Sequence, residues 1–213
     1  MQNNHFCQPA KINEKQNIIV AAFDFDGTMT TKDSLPVFLT YTSGFFKTWA
    51  KLFLHVPLFL LCLTKQVSRQ HVKESLLESF FKGVSIDYIQ SEGEKFAMGP
   101  LKSIVKPISL KKLKWHQSEG HVCILVSANL DVYLNAFASE HGFDHCLCSK
   151  VGFDSQKKIT GQLIGLNCIG EEKVRRLTEL LGSKENYTLY AYGDSNGDKE
   201  MLALADYPFY RLF

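Results

Sequence analysis

Ile18-Ile19-Val20-Ala21-Ala22-Phe23-Asp24-Phe25-Asp26-Gly27-Thr28-Met29-Thr30 is the stretch that decides how this chain is read. Residues 18–22 form a short apolar run of strand length, and Gly27 with the threonines marks the sharp loop that ends it. In an extended backbone residues i and i+2 point the same way, so Asp24 and Asp26 aim two carboxylates into one place. Carboxylates that close repel unless a cation or a proton sits between them. Such a pair suits phosphoryl chemistry.

Two more apolar runs, 122–126 and 187–192, repeat the pattern, and each is followed by small or acidic residues. Helical spacing fills the segments between them. Strands alternating with helices predict an α/β fold, a Rossmann-like parallel sheet with helices on both faces. The helices are predicted at 107–119, 130–141, 171–181 and 198–205, with Gly142 and Gly182 placed as helix C-terminal glycines. Residues 147–153 and 158–164 read as a strand and a hairpin that turns near Ser155-Gln156-Lys157. Residues 31–105 break the rhythm: Val72, Leu76, Leu77, Phe80 and Phe81 carry helical spacing with no strand and loop. They read as a helical insertion after the first strand, above the site which that strand opens. The expected organisation is a loose tail (1–17), a core (18–30 and 106–213) and a helical cap (31–105).

Composition narrows the function. The chain has 213 residues, 45% of them hydrophobic, ample for a packed interior. Its formal net charge of +2 is too small to imply a nucleic-acid partner. The stretch Lys111-Lys112-Leu113-Lys114 reads as a solvated helix face. Cysteines 7, 62, 123, 146, 148 and 168 show neither zinc spacing nor a secreted framework. Cys123 reads as a small core residue, and Cys146 and Cys148 share a strand face where a redox pair is the alternative. A reducing, cytoplasmic setting is expected, and the polar first 17 residues lack the apolar centre of a signal peptide. Residues 45–63 are strongly apolar but interrupted by Lys47, Lys51, His55 and Pro57. The clean part after His55 is far shorter than the ~20 residues of a spanning helix.

In an open parallel sheet the functional crevice lies beyond the carboxyl ends of the strands. Four polar groups fall at or near such ends: Asp24 with Asp26, Ser127-Ala128-Asn129, Lys173, and Gly193-Asp194-Ser195-Asn196-Gly197-Asp198. One acidic strand end is ordinary, because Asp caps helices. Two acidic ends, a hydroxyl and a lysine in this order are not.

These motifs, D-x-D-G-T-x-T, a strand-end Ser, a Lys and G-D-S-x-x-D, resemble those of the haloacid-dehalogenase-like phosphohydrolases. The likeness runs from about residue 18 to the end and is greatest to the phosphoserine-phosphatase-like branch (subfamily IB), whose helical cap follows the first strand. The stretches 115–134 and 190–206 are similar to a bacterial phosphatidylglycerophosphate phosphatase family. The resemblance implies a HAD-like core and Mg²⁺-dependent phosphomonoester hydrolysis, with Asp24 as the nucleophile that becomes an aspartyl-phosphate. It implies that Asp26 is the general acid/base, protonating the leaving alcohol and later activating water. Asp24, Asp194 and the backbone carbonyl of Asp26 would hold Mg²⁺, with Asp198 as an outer or direct acidic partner. Ser127 would bind a phosphoryl oxygen and Lys173 would neutralise transition-state charge. Phosphate contacts are further expected from Asn129, Gly27, Thr28 and Asn196; for Asn196 the alternative is a tight turn.

Neighbouring chemistries fit less well. A dehalogenase has no use for Asp26, phosphonatase relatives carry a small residue there, and no G-x-x-x-x-G-K-[ST] loop is present. A phosphotransferase would use the same Asp pair. A non-catalytic phosphate-binding module would not need nucleophile, acid, lysine and metal carboxylate together. Phe45, Phe46, Trp49, Phe53, Phe59, Phe80 and Phe81 make the insertion unusually aromatic, and dense packing of a small cap is the favoured explanation. The alternative is that residues 45–63 lie on a membrane surface, with Lys47 and Lys51 at the headgroups, which would suit a lipid phosphomonoester. Either a small-molecule or a lipid phosphomonoester is the expected partner, and oligomeric state is not legible. Beyond 207–210 the resemblance allows a further strand or tail, so the last sheet edge is either minimal or covered by a partner.

Overall fold

The computed structural model describes residues 18–213, and at its centre lies β1 (Ile18–Phe23), in which Val20, Ala21, Ala22 and Phe23 are sealed from solvent. The expected tail (1–17) and Cys7 lie outside the described residues. Burial on both faces is what a central parallel strand requires. Five more strands complete one sheet: β2 (Val122–Leu130), β3 (His145–Phe153), β4 (Ile159–Ile164), β5 (Tyr187–Gly193) and β6 (Tyr207–Tyr210). Their order is β4-β3-β2-β1-β5-β6, and every pairing is parallel except the β3–β4 hairpin. Phe23 stands opposite Leu125 on one side and Tyr192 on the other. The ends of β1, β2 and β5 therefore finish side by side. The chain leaves β1 in one direction to β2 and β3 and returns on the other side to β5, which makes this end the switch point.

Side chains alternate along β1 and sort into two cores. Val20 and Ala22 join Ile124, Val126, Leu189 and Ala191 on one face, closed by α8 (Glu171–Leu181) and α9 (Lys199–Leu204) through Leu177, Leu180 and Met201. Ala21 and Phe23 join Cys123 and Leu125 on the other, with α6 (Pro107–Ser118) and α7 (Asp131–Glu140) supplying Leu113, Leu134 and Phe137. The α/β architecture expected from the sequence is the one observed. Cys62, Cys123, Cys146, Cys148 and Cys168 are free thiols. Burial pushes Cys123 up to about 12 and Cys168 up to about 11, so these two stay protonated and inert.

Two strand details depart from the sequence reading. β2 runs on to Leu130, so Ser127, Ala128 and Asn129 lie within an irregular last turn of the strand, where its register against β3 shifts. β6 was not predicted, because Pro208 sits inside it and proline argues against a strand. Its place at the sheet edge, beside β5 only, is where proline is tolerated.

Residues 34–104 are helical: α1 (Ser34–Ser43), α2 (Phe45–Leu54), α3 (Val56–Leu63), α4 (Arg69–Phe81), α5 (Ile86–Met98) and a 3-10 turn at Pro100–Ile104. The Ser68 hydroxyl accepts from the His71 amide at 3.1 Å and starts α4. Val72, Leu76, Leu77, Phe80 and Phe81 of α4, and Ile89, Phe96 and Ala97 of α5, enter the same apolar cluster as Phe23. Two glycines allow close approach to the core. A Cβ at Gly93 of α5 would sit 1.9 Å from the Val132 carbonyl oxygen of α7, and one at Gly161 of β4 would meet the Glu78 backbone of α4 at 2.7 Å.

The favoured packing explanation holds for Phe80 and Phe81 and fails for the first part of the aromatic set. Phe45, Phe46, Trp49 and Phe53 are exposed, Phe46 by 87%, and only Phe59 turns partly inward. The cause is geometric. α2 and α3 turn Thr48, Leu52, Leu58 and Phe59 toward the molecule, and no other described residues cover their outer face. Lys51 also departs from its expected place at a membrane surface, since its ammonium donates to the Ser79 carbonyl and lies 4.7 Å from the Phe80 ring centre.

Candidate active site

The end of β1 holds the first two carboxylates. Asp24 is pinned by its own N–H, which donates to the Tyr192 carbonyl at 2.9 Å. Its Oδ1 accepts from Lys173 Nζ at 2.5 Å, and the same ammonium donates to Asp198 Oδ1 at 2.6 Å and to the Val126 carbonyl at 3.0 Å. α8 carries Lys173 beneath the sheet end, where only 1% of it is exposed. Burial opposes the charge of Lys173, but Asp24 and Asp198 on either side hold it well above the ordinary lysine value. Burial pushes the Asp24 carboxyl up, to about 7, against the pull of Lys173. Asp198 is held below the ordinary carboxylate range: burial resists ionisation, but Lys173 and the Ser195 hydroxyl and amide favour it.

The loop after β5 completes the acidic group. Asp198 Oδ2 accepts from the Ser195 hydroxyl at 2.8 Å and the Ser195 amide at 3.0 Å, a capping box that shapes the turn. Asp194 is half-buried, and burial together with the Asp198 charge raises its carboxyl. Gly27 lies at φ +78°, and a Cβ there would fall 2.2 Å from Asp194 Oδ2, so this glycine lets the first loop close over that carboxylate. Asp24, Asp194 and Asp198 each offer an oxygen within 4.8 Å of the others. An all-oxygen set with so much negative charge suits a small hard cation such as Mg²⁺. Asp198 is the most committed of the three, because both its oxygens already have partners. The Asp26 carboxylate stands outside this trio.

Asp26 is held by a different set. Its Oδ1 accepts from the Ser34 amide at 2.9 Å, and its Oδ2 accepts from Asn129 Nδ2. Asn129 also donates to the Ser34 hydroxyl at 3.0 Å, which in turn meets the Tyr133 hydroxyl at 3.0 Å. Burial lifts Asp26 to about 6 in spite of the bonds from Ser34 and Asn129.

A cavity of about 610 Å³ joins these groups to the helical layer. Asp24, Asp26, Ser127, Asn129, Lys173, Asp194 and Asp198 form its polar floor, and Leu35, Leu39, Leu52, Phe59 and Leu76 its apolar roof. Ser127 is 2% exposed, and its Oγ accepts from the Asn129 amide at 3.1 Å. Gly27 and Thr28 do not line this cavity; they border a small recess on the far side of Asp194. The Gly27 amide donates to Thr30 Oγ1 at 3.3 Å, and the Thr28 hydroxyl donates to Asp194 Oδ1 at 3.5 Å. Asn196 is exposed and away from the cavity, in a 3-10 turn, so the turn explanation is the one its position favours.

Three groups escaped the sequence reading: Ser34, Tyr133 and Lys73. Ser34 opens α1, directly after the acidic loop, and that spacing was the only clue. Lys73 comes from α4, where nothing in the pattern separates it from a solvated lysine. It reaches the Ala128 carbonyl and Asn167 Oδ1, the latter at 2.9 Å, and desolvation lowers it to about 8.

Residues 21–203 match the family described as haloacid dehalogenase-like hydrolase. Protein CicA of Caulobacter vibrioides is 33% identical over 195 residues, which cover 92% of this chain and 86% of that protein. A protein of unknown function from Bordetella pertussis Tohama I superposes with a TM-score of 0.76 at 20% identity, covering 88% of this chain and 87% of the other. A phosphoserine phosphohydrolase-like protein from Francisella tularensis gives 0.65 at 16% identity over 91% of this chain and 86% of its own. At such identities the two structures speak for the fold.

Proposed function

The chain belongs to the haloacid dehalogenase-like hydrolases, and from that premise we propose that it hydrolyses phosphomonoesters through an aspartyl-phosphate on Asp24. The observation that carries this reading is the different partnering of two carboxylates at positions i and i+2. Asp24 is paired with the Lys173 ammonium, while Asp26 is held apart by the neutral donors of Ser34 and Asn129. Burial raises both carboxyls, Asp24 to about 7 and Asp26 to about 6, so the assignment rests on the partners: the ammonium beside Asp24 favours an anionic nucleophile, and Asp26, with no cation bonded to it, is left to carry the proton.

Asp24 attacks phosphorus, the bond to the leaving oxygen breaks, and Asp26 gives that oxygen its proton. Asp26 then takes a proton from water, whose oxygen attacks phosphorus and frees Asp24 and inorganic phosphate. Ser127 at the floor donates to a phosphoryl oxygen, and Lys173 balances negative charge in the transition state. Asp24, Asp194 and the Asp26 carbonyl are the residues that would hold Mg²⁺, with Asp198 behind them. When bound, the ion supplies charge neutralisation between two anions. Helices α1–α5 act as a cap over the floor, and the apolar roof favours a leaving group with apolar mass over free phosphoserine.

Asp24→Asn is expected to abolish inorganic phosphate release with the thermal midpoint unchanged, and Asp26→Asn to lower kcat by roughly 10²–10⁴-fold. EDTA should remove activity and Mg²⁺ restore it. Undiminished phosphate release by Asp24→Asn would sink the mechanism, whereas an Asp24-dependent product that retains the phosphoryl group would make the protein a transferase.

A further inference from the structure

Among the described residues, the outer face of α2 and α3 packs against no other element. Phe46, Trp49 and Phe53, spaced i, i+3 and i+7, point outward from α2, and Leu60, Leu61 and Leu63 continue the patch on α3. A contiguous apolar surface with aromatic members marks an interaction site. Phe46, Phe53 and Leu63 are each more than three-quarters exposed.

Charge identifies the partner. From residue 34 to residue 73 the chain contains no Asp or Glu, while it carries Lys47, Lys51, Lys65, Arg69 and Lys73. Lys47, Lys65 and Arg69 are exposed beside the apolar patch; Lys51 and Lys73 are turned inward to backbone carbonyls. A protein groove would not require a stretch of this length free of negative charge, whereas an anionic lipid surface repels every carboxylate near it and attracts each exposed cation. The helices cannot cross a bilayer one at a time: they have ten and eight residues against the ~20 a span needs, and they bend by 50° at His55. A pair of short helices with aromatic residues outward and cations at the margin suits the interfacial plane.

We infer that the outer face of α2 and α3 seats this protein on the surface of an anionic phospholipid bilayer. The seat adjoins the cavity, whose wall includes Leu52, Phe59, Leu63 and Arg69 of the same segment. A bilayer-bound molecule would therefore open its cavity beside the lipid headgroups; this orientation alone rests on the hydrolase reading, and the seat does not.

The test is co-sedimentation of the full chain with vesicles of phosphatidylglycerol and phosphatidylcholine, against phosphatidylcholine alone. Binding is expected on the anionic vesicles, falling steeply with added salt. The variant Phe46→Ser/Trp49→Ser/Phe53→Ser should lose binding by about tenfold or more. Its exposed positions lie outside the cavity, so p-nitrophenyl phosphate hydrolysis should remain as in the parent. Should that variant fail to fold, Lys47→Glu/Lys65→Glu provides the second probe, with the same loss expected. Parent protein left in the supernatant at every composition overturns the inference. So does equal binding by both variants. A parent dimer that the serine variant turns into a monomer, with no lipid binding by either, would assign the face to a second copy instead. In a Trp115→Phe background, Trp49 should be quenched most by bromine near the headgroups; quenching greatest at the bilayer centre would mean insertion across the membrane and also overturn the seat. Asp24→Asn should bind as the parent does, which separates failure of the seat from failure of the catalytic reading.

Discussion

α4 and α5 differ from α2 and α3 in a way that composition alone would have reversed. α3 is the most apolar helix of the described chain, and it buries nothing completely. α4 is mostly polar by count, yet it places Val72, Leu76, Leu77, Phe80 and Phe81 in the core. Spacing explains the contrast: the α4 residues recur at i, i+4, i+5, i+8 and i+9 and form one stripe. A helix apolar all round has no such direction, and its burial depends on what happens to surround it. Among the described residues, the core takes up one face each of α4 and α5 and leaves the outer faces of α2 and α3 uncovered.

The largest effect should come from emptying the enclosed half. Phe96→Ala removes a fully buried ring set 5.2 Å from Phe38 and 5.4 Å from Tyr133, and about 3–5 kcal/mol should be lost in urea unfolding. Loss below ~1 kcal/mol would break the contrast between the helix pairs. Overfilling comes next: Gly93→Val pushes a side chain into the Val132 carbonyl and should destabilise by at least about 1–3 kcal/mol, read as a lowered thermal midpoint.

Lys73, which lines the cavity with Ser127 and Asn129, links α4 to the chemistry. Desolvation favours its neutral form and sets its titration at about 8, so it is cationic below that pH and neutral above. KM for a phosphomonoester should rise as the pH passes about 8, on the alkaline side of the Asp24 and Asp26 titrations. In Lys73→Gln it should stand about tenfold higher throughout, with little pH dependence on this limb and kcat nearly unchanged. A surviving rise in that variant would remove Lys73 from substrate binding. The smallest effect belongs to the open half: Phe53→Ser should change stability by no more than about 0.5 kcal/mol.

The same contrast marks what the sequence could tell. Strands at 122–126 and 187–192, and the acidic and hydroxyl groups at their ends, were legible because they are local patterns with a known place in a parallel sheet. So was the stripe of α4. The network of Ser34, Asn129 and Tyr133 around Asp26 was not, because it joins residues 99 and 95 positions apart that only the fold brings together. β6 was hidden by Pro208, which lowers strand propensity without preventing an edge pairing. The direction faced by Phe46, Trp49 and Phe53 was hidden for the opposite reason: their apolar character invited burial, and only the position of the neighbours denies it.

The close approach at Gly93 has a mechanical consequence. Where the Cα of one helix lies against the main chain of another, no layer of side chains is left between them to slide. α5 and α7 must therefore travel as one rigid lever. α7 begins at Asp131, two residues after the amide that grips Asp26. Any excursion of this lever would pull on the proton carrier itself.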